Sequence, residues 1–167
     1  MTRISRYLFV TISLAGLVAS PLHANDGMAD HVVVKKSERK LYLVSGKNVM
    51  RTYEIALGLV PQGDKEQEGD FKTPEGDYQL TDRLLDSQFF LAIQVSYPDP
   101  SDVQRAHRMG VRPGGRIMIH GQPNELKYSP AYYEINDWTN GCIAVSNATM
   151  IDLWQLTTEN TPVTIEP

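Results

Sequence analysis

The amino-acid sequence predicts a mainly β fold with short helices, built as a single domain. Three observations point to it. Apolar runs rich in Val, Ile, Leu and Tyr recur along the chain, Gly-, Pro- and Asn-containing clusters separate them, and helical periodicity is confined to short stretches near 101–109 and 147–154. No internal repeat or low-complexity tract interrupts the pattern.

The chain opens with Arg3 and Arg6 ahead of the apolar run 7–19, followed by Pro21 and by Ala24 before polar Asn25. A basic start, a short apolar middle and a small residue before polar sequence describe a secretory leader. The run is shorter than the roughly 20 residues needed to span a bilayer. Cleavage is expected after Ala24, although Leu22 is bulkier than the small residue that usually stands there. The expected organisation is a leader over 1–24, a short segment over 25–30 and one folded domain over 31–167.

Taking 24 residues from 167 leaves 143, enough for one hydrophobic core. The leader holds two arginines and no acids, so its loss moves the formal charge from −4 to −6. With that balance and no basic block, nucleic acid is excluded as a partner class. The KKSERK cluster at 35–40 mixes charges and reads as a solvated turn between apolar runs.

Strands are expected at 32–34, 41–44 and 49–57, with Ser45-Gly46-Lys47-Asn48 turning a hairpin between the last two. Residues 61–77 are too polar and too rich in Gly and Pro to bury, which makes them a long surface loop. Strand signals return at 78–81 and 89–97, the second closing at Pro98. A short helix is expected over 101–109, stopped by Gly110, and Pro113-Gly114-Gly115 then turns the chain into RIMIH at 116–120. In that strand Ile117 and Ile119 face one way, and Met118 and His120 the other. Ser146 or Asn147 caps a helix with a core-facing stripe of Met150, Leu153 and Trp154, and 162–165 forms a last strand.

Cys142, in DWTNGCIAVSN at 137–147, is the only cysteine. In an oxidising compartment a lone thiol is buried and inert, paired with another chain, or kept for reactivity. Reactivity requires a base, a group that orients the base, and donors for an oxyanion. His31 sits at the ragged start of the first strand and His107 lies beside Arg105 and Arg108, so both read as surface residues. His120 ends an apolar strand and precedes Gly121, where a sharp turn would leave the ring exposed beside a cleft; a strand-end histidine bonded to a loop carbonyl is the alternative. Asn140 and Gly141 permit a tight loop whose N–H groups converge on the sulfur, or else form an ordinary turn. One cysteine and scattered histidines give no metal-ligand spacing, and no G-x-S-x-G elbow occurs.

IHG at 119–121 followed by TNGC at 139–142 resembles the catalytic signature of the L,D-transpeptidase (YkuD) family. KLYLVSGKNVMRTYEIALG at 40–58, GDFKTPEGDYQL at 69–80, SYPDPSD at 96–102, PGGRIMIHG at 113–121 and the ending from Gly141 resemble that domain in the same order. The resemblance implies a β-sandwich-like catalytic domain over 31–167, working in the periplasm on peptidoglycan stem tetrapeptides. It implies Cys142 as nucleophile, forming a thioester as D-alanine leaves, and an amine from a second stem that resolves it into a cross-link between third residues. His120 becomes the base, the Gly121 carbonyl its orienting group, and Thr139, Asn140 and Gly141 the nucleophile loop, with the Cys142 N–H and a neighbouring N–H facing the oxyanion. No metal and no cofactor are implied; a monomer is expected, and a lipoprotein lysine stays open as acceptor. Many relatives carry histidine in place of Asn140 and arginine or asparagine in place of Ala144, a plausible contact for the substrate carboxylate. Tyr128, Tyr132, Tyr133 and Trp138 form either a lid over the cleft or buried packing. Hydrolysis of the thioester, a silent wall-binding module and a disulfide-tethered dimer are the competing readings.

Overall fold

The computed structural model describes residues 27–167; the expected leader lies outside the described residues. No helix among these residues is long and apolar enough to cross a membrane. Eight strands and three short helices follow the order β1 (His31–Lys35), β2 (Lys40–Ser45), β3 (Asn48–Glu54), β4 (Gly76–Ser87), β5 (Phe90–Val95), α1 (Pro100–Met109), β6 (Met118–His120), α2 (Pro130–Ile135), β7 (Ile143–Ala144), α3 (Asn147–Leu156) and β8 (Pro162–Glu166). Ala29, ahead of β1, is buried and donates its N–H to Leu156 O.

The strands are ordered β3-β2-β1-β8-β4-β5-β6-β7. β1 and β2 form an antiparallel hairpin, β2 and β3 another, whose turn is made by Gly46 at φ 60°. β1 and β8 run parallel, bringing the two ends of the domain together. β4 joins the two halves of the fold: its first residues pair with β8 and its later ones with β5. Beyond β7 the sheet edge does not stay open. Ala144 exchanges both backbone bonds with Ala56, just past β3, at 2.8 and 2.9 Å, and so ties the last strand to the first part of the chain.

Alternation fills the interior as the sequence patterning predicts. Val32, Val34, Leu41 and Leu43 from β1 and β2 meet Ile93, Val95, Ile119, Ile143, Val163 and Ile165 in one core, which Met150 and Leu153 of α3 close. Ser146 caps α3 by accepting from Thr149 N. α1 starts at a capping box made by Asp99 and Asp102 and stops at Gly110, φ 70°.

Two local expectations need correction. β4 is much longer than 78–81, because its outer half (Asp82, Arg83, Asp86) carries polar residues and register shifts that erase the alternation. The 35–40 cluster is a turn, but not a fully solvated one. Lys36 is 2% exposed, and its ammonium donates to Gly63 O (2.7 Å), Thr73 O (2.9 Å) and Glu75 Oε1 (2.8 Å). An ammonium has three donors and here each has an acceptor, which is what allows the charge to be buried.

Lys36 thereby pins both ends of the 61–75 loop. Farther along the same loop, Lys65 bonds Asp70 (2.6 Å), and Asp70 also accepts from the backbone of Glu66, Gln67 and Lys72. Arg105 of α1 ties Asp64 (2.8 Å) to Asp102 (2.6 Å). The loop is polar, yet each of these charges is matched within it or against the body.

Candidate active site

β6 and β7 run parallel, with Ile119 opposite Ile143 and His120 opposite Ala144. Both isoleucines are fully buried in the core. Alternation puts His120 and Ala144 on the other face, and Cys142, one residue before β7, continues that face opposite Met118. The backbone thus sets the thiol and the imidazole as diagonal neighbours on adjacent strands.

The His120 ring is buried, 3% exposed, and not open beside a cleft as its position before Gly121 suggests. Phe89 stacks on it at 4.5 Å and Trp138 meets its edge at 5.5 Å. Gly121 serves close packing rather than a sharp turn: a Cβ there would lie 2.6 Å from Asn147 Oδ1 and 3.0 Å from Phe89 O. His120 Nδ1 lies 2.8 Å from Gly121 O. A carbonyl only accepts, so Nδ1 carries the proton and Nε2 keeps its lone pair.

Burial pushes the His120 pKa down to about 4, against a smaller upward pull from the Gly121 carbonyl. Burial pushes the Cys142 thiol up, opposed by the Met118 N–H and by the positive charges of Lys65 and Arg116. Both groups therefore rest neutral near pH 7. The sulfur points to Arg116 O at 3.7 Å and is not hydrogen-bonded to the imidazole. Catalytic contacts in an empty site commonly tighten only when substrate is bound.

The His120 shift has a direct stability consequence. Because the folded state disfavours the imidazolium, the unfolded chain takes up the proton first as pH falls. Stability is fully present above pH 6.5 and is lost progressively toward pH 4, by about 3 kcal/mol in all. In urea titrations from pH 7.5 to 4, His120→Gln should lose about that much less than the wild type over this window; parallel curves would contradict the assignment.

The nucleophile loop is braced from within. Thr139 Oγ1 donates to Cys142 O (2.7 Å) and accepts from Gly141 N (3.1 Å). The Gly141 N–H is thereby occupied, and the Cys142 N–H is the donor nearest the sulfur that is left for an oxyanion. Gly141 adopts φ 123°, and a Cβ on it would stand 2.6 Å from Lys72 O, so the 61–75 loop backs directly onto the nucleophile loop. Asn140 is exposed. Ala144 is buried in its bridge to Ala56, so no longer side chain reaches toward substrate from this position.

The 122–138 segment contains α2, an element the sequence did not announce, and its aromatic residues divide between packing and surface. Tyr133 is buried, its ring 5.2 Å from Trp138, while Tyr128 and Tyr132 remain exposed. Trp138 Nε1 donates to Tyr133 O, and Gln122 Nε2 to Pro130 O and Glu134, which holds the segment together. Asp137 anchors it to the body through Arg39 (2.7 Å) and through Leu57 N (2.8 Å). Of the other histidines, His31 bonds Thr164 Oγ1 at 2.8 Å and His107 is exposed on α1, both away from β6 and β7. No group of three or more His, Cys, Asp or Glu residues suited to a metal occurs among the described residues.

Comparison with known proteins agrees with this architecture. The model of the L,D-transpeptidase catalytic domain, YkuD, matches residues 29–165. The "Putative L,D-transpeptidase YafK" of Escherichia coli (strain K12) is 28% identical over 167 aligned residues, covering 90% of this chain and 60% of the relative. The chain therefore spans about 60% of the length of the curated relatives it matches. Among solved structures, the helical cell shape determining protein Pgp2 from Campylobacter jejuni is 27% identical, with a TM-score of 0.61 over 81% of this chain and 46% of that one. An L,D-transpeptidase from Mycobacterium smegmatis shares the fold at 12% identity, with a TM-score of 0.53 over 82% of this chain and 58% of that one. A mostly β fold, a strand-end histidine beside a Gly-Cys loop, and a family match over nearly all the described residues lead to one conclusion: the chain belongs to the L,D-transpeptidase catalytic domain (YkuD) family.

Proposed function

We propose that this protein is an exported, periplasmic cysteine acyltransferase that acts on peptidoglycan stem tetrapeptides. The observation that carries the reading is the β6–β7 pairing, which sets Cys142 and His120 on one face, with His120 Nδ1 bonded to Gly121 O and Nε2 left as the base. Nε2 takes the thiol proton as sulfur attacks the carbonyl of the third stem residue, and the Cys142 N–H faces the oxygen of the tetrahedral intermediate. The proton passes to the departing amine, D-alanine leaves, and a thioester remains. An amine of a second stem gives up a proton to Nε2, attacks the thioester, and restores the thiol. The product is a direct link between two third residues.

Since thiol and imidazole both rest neutral, proton transfer from sulfur to Nε2 accompanies attack on the carbonyl and does not precede it. The similarity to a protein described as determining helical cell shape supports a role in cell shape.

Purified protein given disaccharide-tetrapeptide is expected to release D-alanine and form a tripeptide–tetrapeptide dimer. Release of D-alanine with tripeptide alone, and no dimer or D-amino-acid exchange, would replace the transpeptidase reading with an L,D-carboxypeptidase. No release at all would leave a wall-binding module.

A further inference from the structure

Two hollows flank α2. The larger, of about 1110 Å³, sits beside the Arg39–Asp137 ion pair and is bordered by β3 and α3. The other, of about 740 Å³, lies between the β4–β5 turn and the 123–138 segment, and five of the eleven residues that line it are aromatic. Phe89 and Trp138, the rings packed on His120, form part of its wall. Tyr128 and Tyr132 form another part, their centroids 4.4 Å apart and their surfaces 59% and 36% exposed. Rings gain most by leaving water, so a stacked pair held at the surface presents apolar faces for a ligand to cover.

Asn124 and the Tyr133 hydroxyl are engaged within the wall, but other polar groups around these rings are not. The hydroxyls of Tyr128 and Tyr132, the Gln88 amide and the charges of Glu125 and Lys127 form no side-chain hydrogen bond or ion pair with the described residues. One acid and one base leave the rim without net charge, which favours neither an anionic nor a cationic ligand. What fits flat rings bordered by free hydroxyl and amide groups is a neutral molecule with a C–H face and a fringe of hydroxyls and amides. A pyranose bearing an N-acetyl group has that form.

We infer that this groove binds the N-acetylated sugar to which the stem peptide is attached, so that the protein reads the glycan as well as the peptide. The inference rests on the proposed function for the identity of the peptide, though not for the chemistry of the groove. It orients the substrate: sugar on the Tyr128–Tyr132 side of the groove, stem peptide running past Phe89 and Trp138 toward Cys142.

Two measurements test it. In the first, an N-acetylglucosamine tetramer is titrated into wild-type protein, and the Trp138 indole signal is followed by NMR. A saturable shift is expected, with affinity at least ten-fold weaker in Tyr128→Ala and Tyr132→Ala, both exposed positions whose loss leaves the core intact. In the second, kcat/KM is compared for disaccharide-tetrapeptide and free tetrapeptide. The wild type should prefer the disaccharide form about ten-fold, and each tyrosine variant should lose at least five-fold of that ratio. Absence of a saturable shift, a shift indifferent to both substitutions, or an unchanged ratio overturns the inference. Tyrosine-dependent sugar binding in a protein that turns over neither peptide would sink the proposed reaction and leave the groove assignment standing.

Discussion

Replacing Cys142 with alanine is expected to abolish acyl transfer while leaving the fold in place. The side chain is only partly buried and the hydrogen bond its thiol donates is a 3.7 Å contact to Arg116 O, so the stability cost should stay near 1 kcal/mol, about the mean for a single substitution. Turnover should fall by at least ~10³-fold, because no other thiol exists in the chain and the acyl-enzyme cannot form without one. Cys142→Ser keeps the shape but replaces the sulfur with a far less acidic hydroxyl and should be nearly as inactive. Release of D-alanine from tetrapeptide measures the first effect, and mass spectrometry after exposure to a carbapenem measures acylation. Wild-type turnover by the alanine variant would remove Cys142 from the chemistry.

Lys36→Met is expected to give the largest loss of stability. The substitution keeps the bulk of the side chain and removes the charge, leaving Glu75 without its partner and the carbonyls of Gly63 and Thr73 without their donor. Breaking a buried, fully bonded ion pair from one side costs about 3–5 kcal/mol. The neighbouring Lys35→Met is the control. Lys35 is partly exposed with contacts of 3.4 and 4.0 Å to Glu38 and Glu166, and its loss should change stability by under ~1 kcal/mol. Urea midpoints for the two variants check the contrast. Activity of Lys36→Met should also fall under conditions where it is still folded, since the loop it pins backs onto Gly141 through Lys72 O. Equal midpoints for the two variants would show that the buried ammonium contributes nothing special.

Lys36 also illustrates where the sequence stopped being legible. A run of mixed charges reads as solvated because most such runs are, and the acceptors that bury this one come from residues 63, 73 and 75, which local pattern cannot bring near. The hairpin at Gly46, the cap at Ser146 and the stop at Gly110 were readable because each depends on a few adjacent residues. The alternation of Met118 and His120 against Ile117 and Ile119 was readable for the same reason. His120 itself was placed on the right strand with the wrong environment: Phe89 and Trp138, which cover it, come from segments on either side of β6 in the sequence. Gly121 owes its small size to neighbours, Asn147 and Phe89, that only the folded chain supplies. The helix α2 is six residues long and has no side-chain hydrogen bond at its cap, so it leaves no period and no stop signal to read.

The tie between Ala56 and Ala144 determines when the site comes into being. Its partners are 88 residues apart in sequence, so closing it carries a larger entropic cost than closing a local hairpin. Local hairpins such as β2–β3 carry a small entropic cost and form early, whereas β7, two residues long, becomes a strand only when β6 and Ala56 are both present to flank it. The environment that sets the thiol and imidazole in register is therefore a late product of folding. A chain still unfolded carries an ordinary cysteine and an ordinary histidine with no fixed relation, so reactivity at Cys142 in a refolding time course reports the closing of this part of the fold.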